Sequence, residues 1–507
     1  MCGGLHMLTE RVLTPEEIEE IDPTGNGRAF LRRMIETDFT PKSILLKGTR
    51  EELFDAYVRR RTNWARNTDP VLLAWDSACD TKYGAQGGSF AIDSAKAIYR
   101  ASYELADRPV VTHDLQVGVE YFRRRIMYKV KQVGYPQVMD SRVYGTSAAL
   151  PTMLVKGDFV AETFGMKPYR HIRHNLMGER RQRNSERVIN QDSVNNVRLW
   201  ECELNAIRHW LKTYFPEYFY GWLDPKRYGQ VVLSDVLQKP FASVECDYRK
   251  CDIHYSWEVA RDVVLPMLEP LFISSAVFVE FAAYVEELFN QPLYFGDVEW
   301  IGKHNLFSGQ SITNDFETYY DIALQLATLI HLKIPMTSTV HFACGDDQAL
   351  VLTGRSVGAA QEVYSATREI SDAAGLELAE EKCRISDSDI AFCRRLYRAG
   401  LPRYWNEDGQ MYMPGFYPHV LALNAIVNPE KFCDMKVHLD QGVSALVQRL
   451  DNCYGSPWHT QMCQFIGSRY QLEYVQPAYV SKAEAAGWWE KVYGTTWSLY
   501  DSPSYKI

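Results

Sequence analysis

The stretch that decides the reading is His341-Phe342-Ala343-Cys344-Gly345-Asp346-Asp347-Gln348-Ala349-Leu350-Val351-Leu352. Apolar runs flank a Gly-Asp-Asp core, the pattern of two strands joined by a tight turn that tolerates unusual backbone angles. Such a hairpin carries two adjacent carboxylates at its tip. Like charges that close raise each other's pKa and call for a cation. The triplet alone decides little, since it arises by chance in about one chain in ten of this length.

Working outward, Val244-Glu245-Cys246-Asp247-Tyr248-Arg249-Lys250-Cys251-Asp252 reads as an apolar strand, Phe241 to Asp247, with Asp252 following after four residues. Asp247 beside the hairpin aspartates would give a set of oxygen ligands suited to Mg2+, a hard ion that prefers carboxylates. A strand ending in a surface turn is the plainer alternative. Ser308-Gly309-Gln310-Ser311-Ile312-Thr313-Asn314 precedes a helical run. Gly309 permits close backbone approach to a ligand, and Ser308 and Thr313 offer hydroxyls. The same residues also suit a loop with a Thr or Asn helix cap.

Order and spacing join these elements. A D-x4-D, then an S-G-x3-T, then a G-D-D is the palm pattern of viral RNA-dependent RNA polymerases, which this sequence resembles. The resemblance extends to Glu179 to Asn190, similar to the basic fingers motif that grips the incoming triphosphate. It includes the segment from Gly375-Leu376 to Lys382, and Phe392-Cys393-Arg394-Arg395-Leu396-Tyr397, similar to the turn that cradles the primer strand. Thr146 to Pro151 with Lys156-Gly157 resembles a template-entry loop. The size and the D-Y-x3-D form of the first motif look closest to picobirnaviruses and the related partitiviruses, segmented double-stranded RNA viruses.

The resemblance implies an α+β right-hand polymerase with a small antiparallel palm sheet and largely helical fingers and thumb. The expected division is 1–140, N-terminal extension and fingers; 141–235, fingers with the basic motif; and 236–260, palm with the first aspartate. A fingers insertion at 261–300, palm again at 301–402 and a thumb with tail at 403–507 complete it. Two Mg2+ ions, for which Mn2+ can substitute, would be held by Asp247, Asp346 and Asp347, with Tyr248 in the metal set. Arg181, Arg183 and Arg187 would neutralise triphosphate charge with their bidentate forks. Asp252, Ser308, Gly309, Thr313 and Asn314 would hold the nucleotide and check its sugar. Lys382 would act as general acid for pyrophosphate. Thr146, Lys156, Arg394 and Arg395 would contact RNA. One departure stands out: many relatives carry Asn four residues after the Thr of the second motif, where this chain has Glu317.

The implied reaction is templated RNA synthesis from ribonucleoside triphosphates for a viral, double-stranded genome. RNA template and product are the partners, a capsid protein is a further one, and host cytoplasm and virion interior are the expected places. A reverse transcriptase shares this chemistry, but usually has an aromatic residue before the two aspartates. A non-catalytic RNA-binding virion subunit on the same fold is the reading from another class.

Composition agrees with a large globular enzyme. Hydrophobic residues make up 46% of 507, enough for an extensive core. The formal charge of −9 argues against a simple basic nucleic-acid coat, though positive charge confined to a channel remains compatible. Basic residues do gather between Tyr121 and Asn190, as a solvated face or as a groove that tracks phosphates. The 11 cysteines contain no C-x2-C pair, so neither a zinc site nor a disulfide framework is suggested. No apolar stretch has the length and freedom from charge of a membrane span. Arg403-Tyr404-Trp405 to Tyr412 reads as a thumb hairpin, either packed against the palm or offering rings for a nucleotide to stack on.

Overall fold

The computed structural model describes residues 8–36, 46–66, 69–84, 92–104, 111–137, 175–182, 186–191, 204–222, 225–310, 312–406, 408–428 and 449–469; in 175–191 it describes backbone only. In chain order the longer elements are β1 (Thr9–Val12), α1 (Pro15–Ile21), α2 (Asn26–Glu36), α3 (Arg50–Ala65), α4 (Pro70–Ser77), α5 (Ile92–Arg100) and α6 (His113–Val133). β2 (Asn175–Gln182), β3 (Glu186–Gln191), α7 (Asn205–Tyr214), α8 (Pro225–Val231), β4 (Phe241–Cys246), α9 (Ser275–Leu288), β5 (Leu293–Tyr294) and β6 (Val298–Ile301) follow. After them come α10 (Thr313–His331), β7 (Thr339–Cys344), β8 (Asp347–Thr353), α11 (Val357–Ala373), β9 (Arg384–Ser386), β10 (Asp389–Phe392) and β11 (Arg395–Arg398). The chain continues through β12 (Tyr404–Trp405), β13 (Met411–Tyr412), α12 (His419–Val427) and α13 (His459–Arg469).

The helix starts follow local chemistry. Thr14 and Thr49 each form a capping box, the side chain taking the backbone N–H of Glu17 or Glu52 while that glutamate returns the bond. Each box satisfies donors that the first turn leaves without partners, and the acidic first turns suit the positive end of the helix dipole.

A four-stranded antiparallel sheet, ordered β7-β8-β4-β9, carries the two aspartate segments. Every residue of β4 is buried, because helices cover one face and the β10–β11 hairpin the other. α10 runs against this sheet and is buried along almost its whole length, from Thr313 to Leu329. α6 lies across α10 with Gly118 at the crossing, where an added Cβ would come within 2.4 Å of the Ala323 carbonyl. Only glycine allows the two helices so near one another. Their side chains, with those of 257–271, form the largest apolar core.

Two sets of contacts join parts of the chain that lie far apart in sequence. β1 joins β6, β5, β2 and β3 in a second, five-stranded sheet, so residues 9–12 lie with 175–191 and 293–301. α3 and α4 pack on α12 and α13 through Leu53, Tyr57, Val420 and Phe465. Buried Arg61 there reaches Asp76 at 2.9 Å and Asp80 at 2.7 Å, while Asp76 also accepts the Val420 N–H. The backbone from Trp257 to Leu271 stays helical through a π-turn at 260–264, and a bend at 272–274 separates it from α9. Among the described residues, no helix is long and apolar enough to cross a membrane.

Candidate active site

Register places the carboxylates. Cys246 at the end of β4 pairs with Gln348 of β8, so Asp247 emerges opposite Asp347. Cys344 pairs with Asp347 across the turn that holds Gly345 and Asp346. Gly345 has φ +63°, a left-handed backbone that L side chains adopt only at a cost. The Gly345 N–H donates to Thr318 Oγ1 of α10 at 2.7 Å, which pins the turn from below. Burial, and then the nearby Asp346 and Asp247 charges, push the Asp347 carboxyl up to about 6. Crowded carboxylates of this kind are relieved by a divalent cation.

The carboxylate donors fit such an ion in chemistry. Among the described residues, no group of three or more His, Cys, Asp or Glu side chains is arranged to hold a metal by itself. Mg2+ ordinarily uses one or two carboxylates and completes its shell with water and substrate phosphates. Asp247 and Asp346 are the residues that would hold it, with Asp347 beside them. Lys382 follows the bend after α11, and its Nζ lies 3.1 Å from Asp247 Oδ2. The Tyr248 side chain points into the core, where its hydroxyl donates to Asp321 and accepts from Gln348 Nε2 at 2.7 Å.

The second motif wraps round the start of α10. Asn305 Nδ2 donates to the Ile253 carbonyl at 2.7 Å and the Leu306 N–H to Tyr255 at 3.1 Å, which fastens this loop to the segment carrying Asp252. Gly309 has φ +96° and is exposed, and Ser308 is half-buried. Thr313 is turned inward, its hydroxyl donating to the Phe307 carbonyl at 3.0 Å, so it shapes the loop rather than facing a ligand. Asp252 is buried in a short helical turn, Cys251–His254. Asn314 is exposed and close to Gly345, whose missing Cβ would lie 2.8 Å from Asn314 Nδ2 and 3.5 Å from Glu317 Oε2. Glu317 is buried, and burial followed by Asp346 and Asp252 drives its pKa well above the usual carboxylate range.

Elsewhere the sequence expectations divide. β2 and β3 form a hairpin in which Arg181 and Arg187 are directly paired positions. Arg183, Thr146 and Lys156 lie outside the described residues. Cys393 and Arg394 both take positive φ, +48° and +65°, in the tight turn from β10 to β11. Arg394 is exposed on that turn and is among the charges acting on Asp347. Arg395 instead is buried, donating to the carbonyls of Pro414 and Asn452 and lying over Tyr417. Its guanidinium is consumed by these contacts, so as an RNA contact it gives way to Arg394. Part of the basic zone is likewise ion-paired: Arg123 with Glu269, Arg124 with Glu120 and Arg125 with Glu217.

Sequence reasoning missed a buried polar seam beneath the hairpin. Asp321, Tyr248, Gln348, Gln325 and His341 follow one another through hydrogen bonds, with Gln325 Oε1 facing His341 Nδ1 at 3.0 Å. A stripe was available as a signal: Asn314, Glu317, Thr318, Asp321 and Gln325 recur at helical spacing in an otherwise apolar run. Arg208, which reaches Asp315 and Asn314 from α7, was missed too.

Neither a family model nor a curated protein matches the chain. Solved structures do. The crystal structure of the RNA-dependent RNA polymerase of a human picobirnavirus matches with a TM-score of 0.74 at 17% identity, covering 97% of each chain. An insertion-loop deletion mutant of a human picobirnavirus polymerase matches with a TM-score of 0.71 at 16% identity, covering 93% of this chain and 96% of that one. Over almost its whole length, therefore, this chain has the α+β fold of a picobirnavirus RNA-dependent RNA polymerase.

Proposed function

We propose that this chain is an RNA-dependent RNA polymerase that copies a viral, double-stranded RNA genome from ribonucleoside triphosphates. The observation that carries this reading is the register of β4 on β8, which sets Asp247 opposite Asp347 and next to Asp346. Sequence order alone left those carboxylates 99 residues apart.

Two Mg2+ ions bound there would supply the activation of a 3′-hydroxyl and the stabilisation of the leaving pyrophosphate. The residues of the chain do the rest. The β7–β8 turn, tied to Thr318, holds Asp346 at fixed height above α10. Lys382, next to Asp247, donates a proton to the departing pyrophosphate. Arg181, Arg183 and Arg187 grip the triphosphate, and Arg394 steadies the primer strand at the exposed β10–β11 turn. Asp252 and Asn314 meet the sugar. RNA is the macromolecular partner, with a capsid protein beside it and the host cytoplasm and virion interior as the places of synthesis.

A primed RNA template offered ribonucleotides or deoxyribonucleotides tests the reading. Preferential ribonucleotide incorporation is expected. Efficient deoxyribonucleotide incorporation would make the chain a reverse transcriptase, and nucleotide-independent RNA binding alone would leave the virion-subunit reading.

A further inference from the structure

Arg208 stands on α7, outside all the motifs above, yet it reaches the first turn of α10. Its Nε and Nη2 donate to the two Asp315 oxygens at 2.9 and 3.2 Å. Nη2 also donates to Asn314 Oδ1 at 3.0 Å. The guanidinium lies over the Trp222 ring, 4.5 Å from its centre, and Trp222 Nε1 donates to the same Asn314 oxygen at 3.2 Å.

Two donors on one amide oxygen decide which way the amide faces. An asparagine has a similar shape in both orientations, so hydrogen bonds choose between them. With Oδ1 held from the α7 side, Nδ2 is turned toward the catalytic hairpin. There it meets Cys344 Sγ at 4.0 Å and the open space left by Gly345. Sulfur is a weak acceptor, so the Asn314 N–H groups keep capacity for a better one. Asn314 is exposed, whereas Glu317 one turn later is buried. The amide is what a substrate beside Asp346 would touch.

We propose that Arg208 and Trp222 are positioning residues that hold Asn314 with its N–H donors toward the ribose of the incoming nucleotide, and so set the preference for ribonucleotides. The inference rests on the polymerase reading and deepens it. A donor aimed at a substrate hydroxyl loses its partner in the deoxy analogue, and an unpaired polar group is how a site rejects a substrate lacking one hydroxyl.

The test uses the full chain on a primed RNA template. Dissociation constants for GTP and 2′-deoxy-GTP come from calorimetry, and kcat/KM for each from single-nucleotide extension. Trp222→Phe is the informative variant. It keeps an aromatic ring beside Phe219 (centres 4.8 Å apart) and Tyr319 (5.6 Å) while removing the N–H together with part of the indole. Asn314→Ala should lower the ribo-to-deoxy ratio about tenfold or more, chiefly through KM for GTP. Trp222→Phe and Arg208→Lys should lower it several-fold, and Trp222→Phe should add nothing once Asn314 is alanine, because both act through one amide. A purely structural role would weaken both nucleotides alike and add to Asn314→Ala. Unchanged ratios in Trp222→Phe and Arg208→Lys, or equal binding of GTP and deoxy-GTP by the parent, would overturn the proposal. Selective GTP binding without templated extension would instead count against the polymerase reading while supporting the role of Asn314.

Discussion

Replacing Tyr248 with phenylalanine removes one oxygen from beneath the catalytic hairpin. That oxygen donates to Asp321 and accepts from Gln348 Nε2, and all three residues are buried. Asp321 Oδ2 has no hydrogen-bond partner, so Asp321 has no second bond to fall back on. Burial holds its pKa well above the ordinary carboxylate range, the Tyr248 bond opposing. Each buried polar group stranded by the substitution costs about 1–3 kcal/mol, so the pair should cost about 3 kcal/mol. In a chain this long each kcal/mol moves the melting temperature by about 2 °C or less. Differential scanning fluorimetry of metal-free protein at pH 7 should therefore show a fall of roughly 5 °C. Asp321→Asn, which imitates the neutral carboxyl in shape, should stay within about 2 °C of the parent. A Tyr248→Phe protein melting with the parent would refute the idea that this hydroxyl satisfies buried groups. An Asp321→Asn loss as large as that of Tyr248→Phe would mean the carboxyl is ionised.

Three further outcomes are expected. Gly345→Ala should cut extension activity at least tenfold, because a left-handed alanine costs about 1–2 kcal/mol and its Cβ would press on Asn314 Nδ2; full activity would show the turn to be pliant. Arg384→Met should destabilise by about 3 kcal/mol, since Arg384 binds both oxygens of buried Glu245 at 2.7 and 2.8 Å. That loss should shrink as pH falls and Glu245 protonates; chemical denaturation at pH 8 and pH 5 reads it, and equal losses would contradict it. His419 is fully buried with neither ring nitrogen bonded, and burial lowers its pKa to about 4, Asp76 opposing. Its folded pKa is depressed, so its contribution is intact above pH 6.5 and is lost as pH falls toward 4. At pH 5 the deficit is about 2 kcal/mol. His419→Phe, between Phe416 and Trp458, should therefore gain about 2 kcal/mol on the parent from pH 7.5 to pH 5, and parallel pH profiles would rule the effect out.

Much of the centre of the molecule was legible in the sequence because its signals are local. Alternating apolar residues round Gly345 define β7 and β8, and Thr14 and Thr49 announce α1 and α3 by their capping boxes. Partners far apart in the chain were not legible. Nothing near Arg208 says that it will bind Asn314 106 residues away, and Arg395 looks like its exposed neighbour Arg394 until Asn452 closes over it. Thr313 reads as a ligand contact by type, yet the loop geometry turns its hydroxyl to Phe307. The five-stranded sheet was out of reach because β1, β2 and β6 meet only after chain segments hundreds of residues apart have come together.

The central claim is that Asp247 and Asp346 carry templated RNA synthesis. Its most direct test gives the purified protein a single-stranded RNA template, labelled ribonucleotides and Mg2+ or Mn2+, alongside Asp346→Ala. Template-dependent product from the parent and none from the variant is the predicted result. Equal product from both would contradict the assignment of Asp346 and place the activity elsewhere.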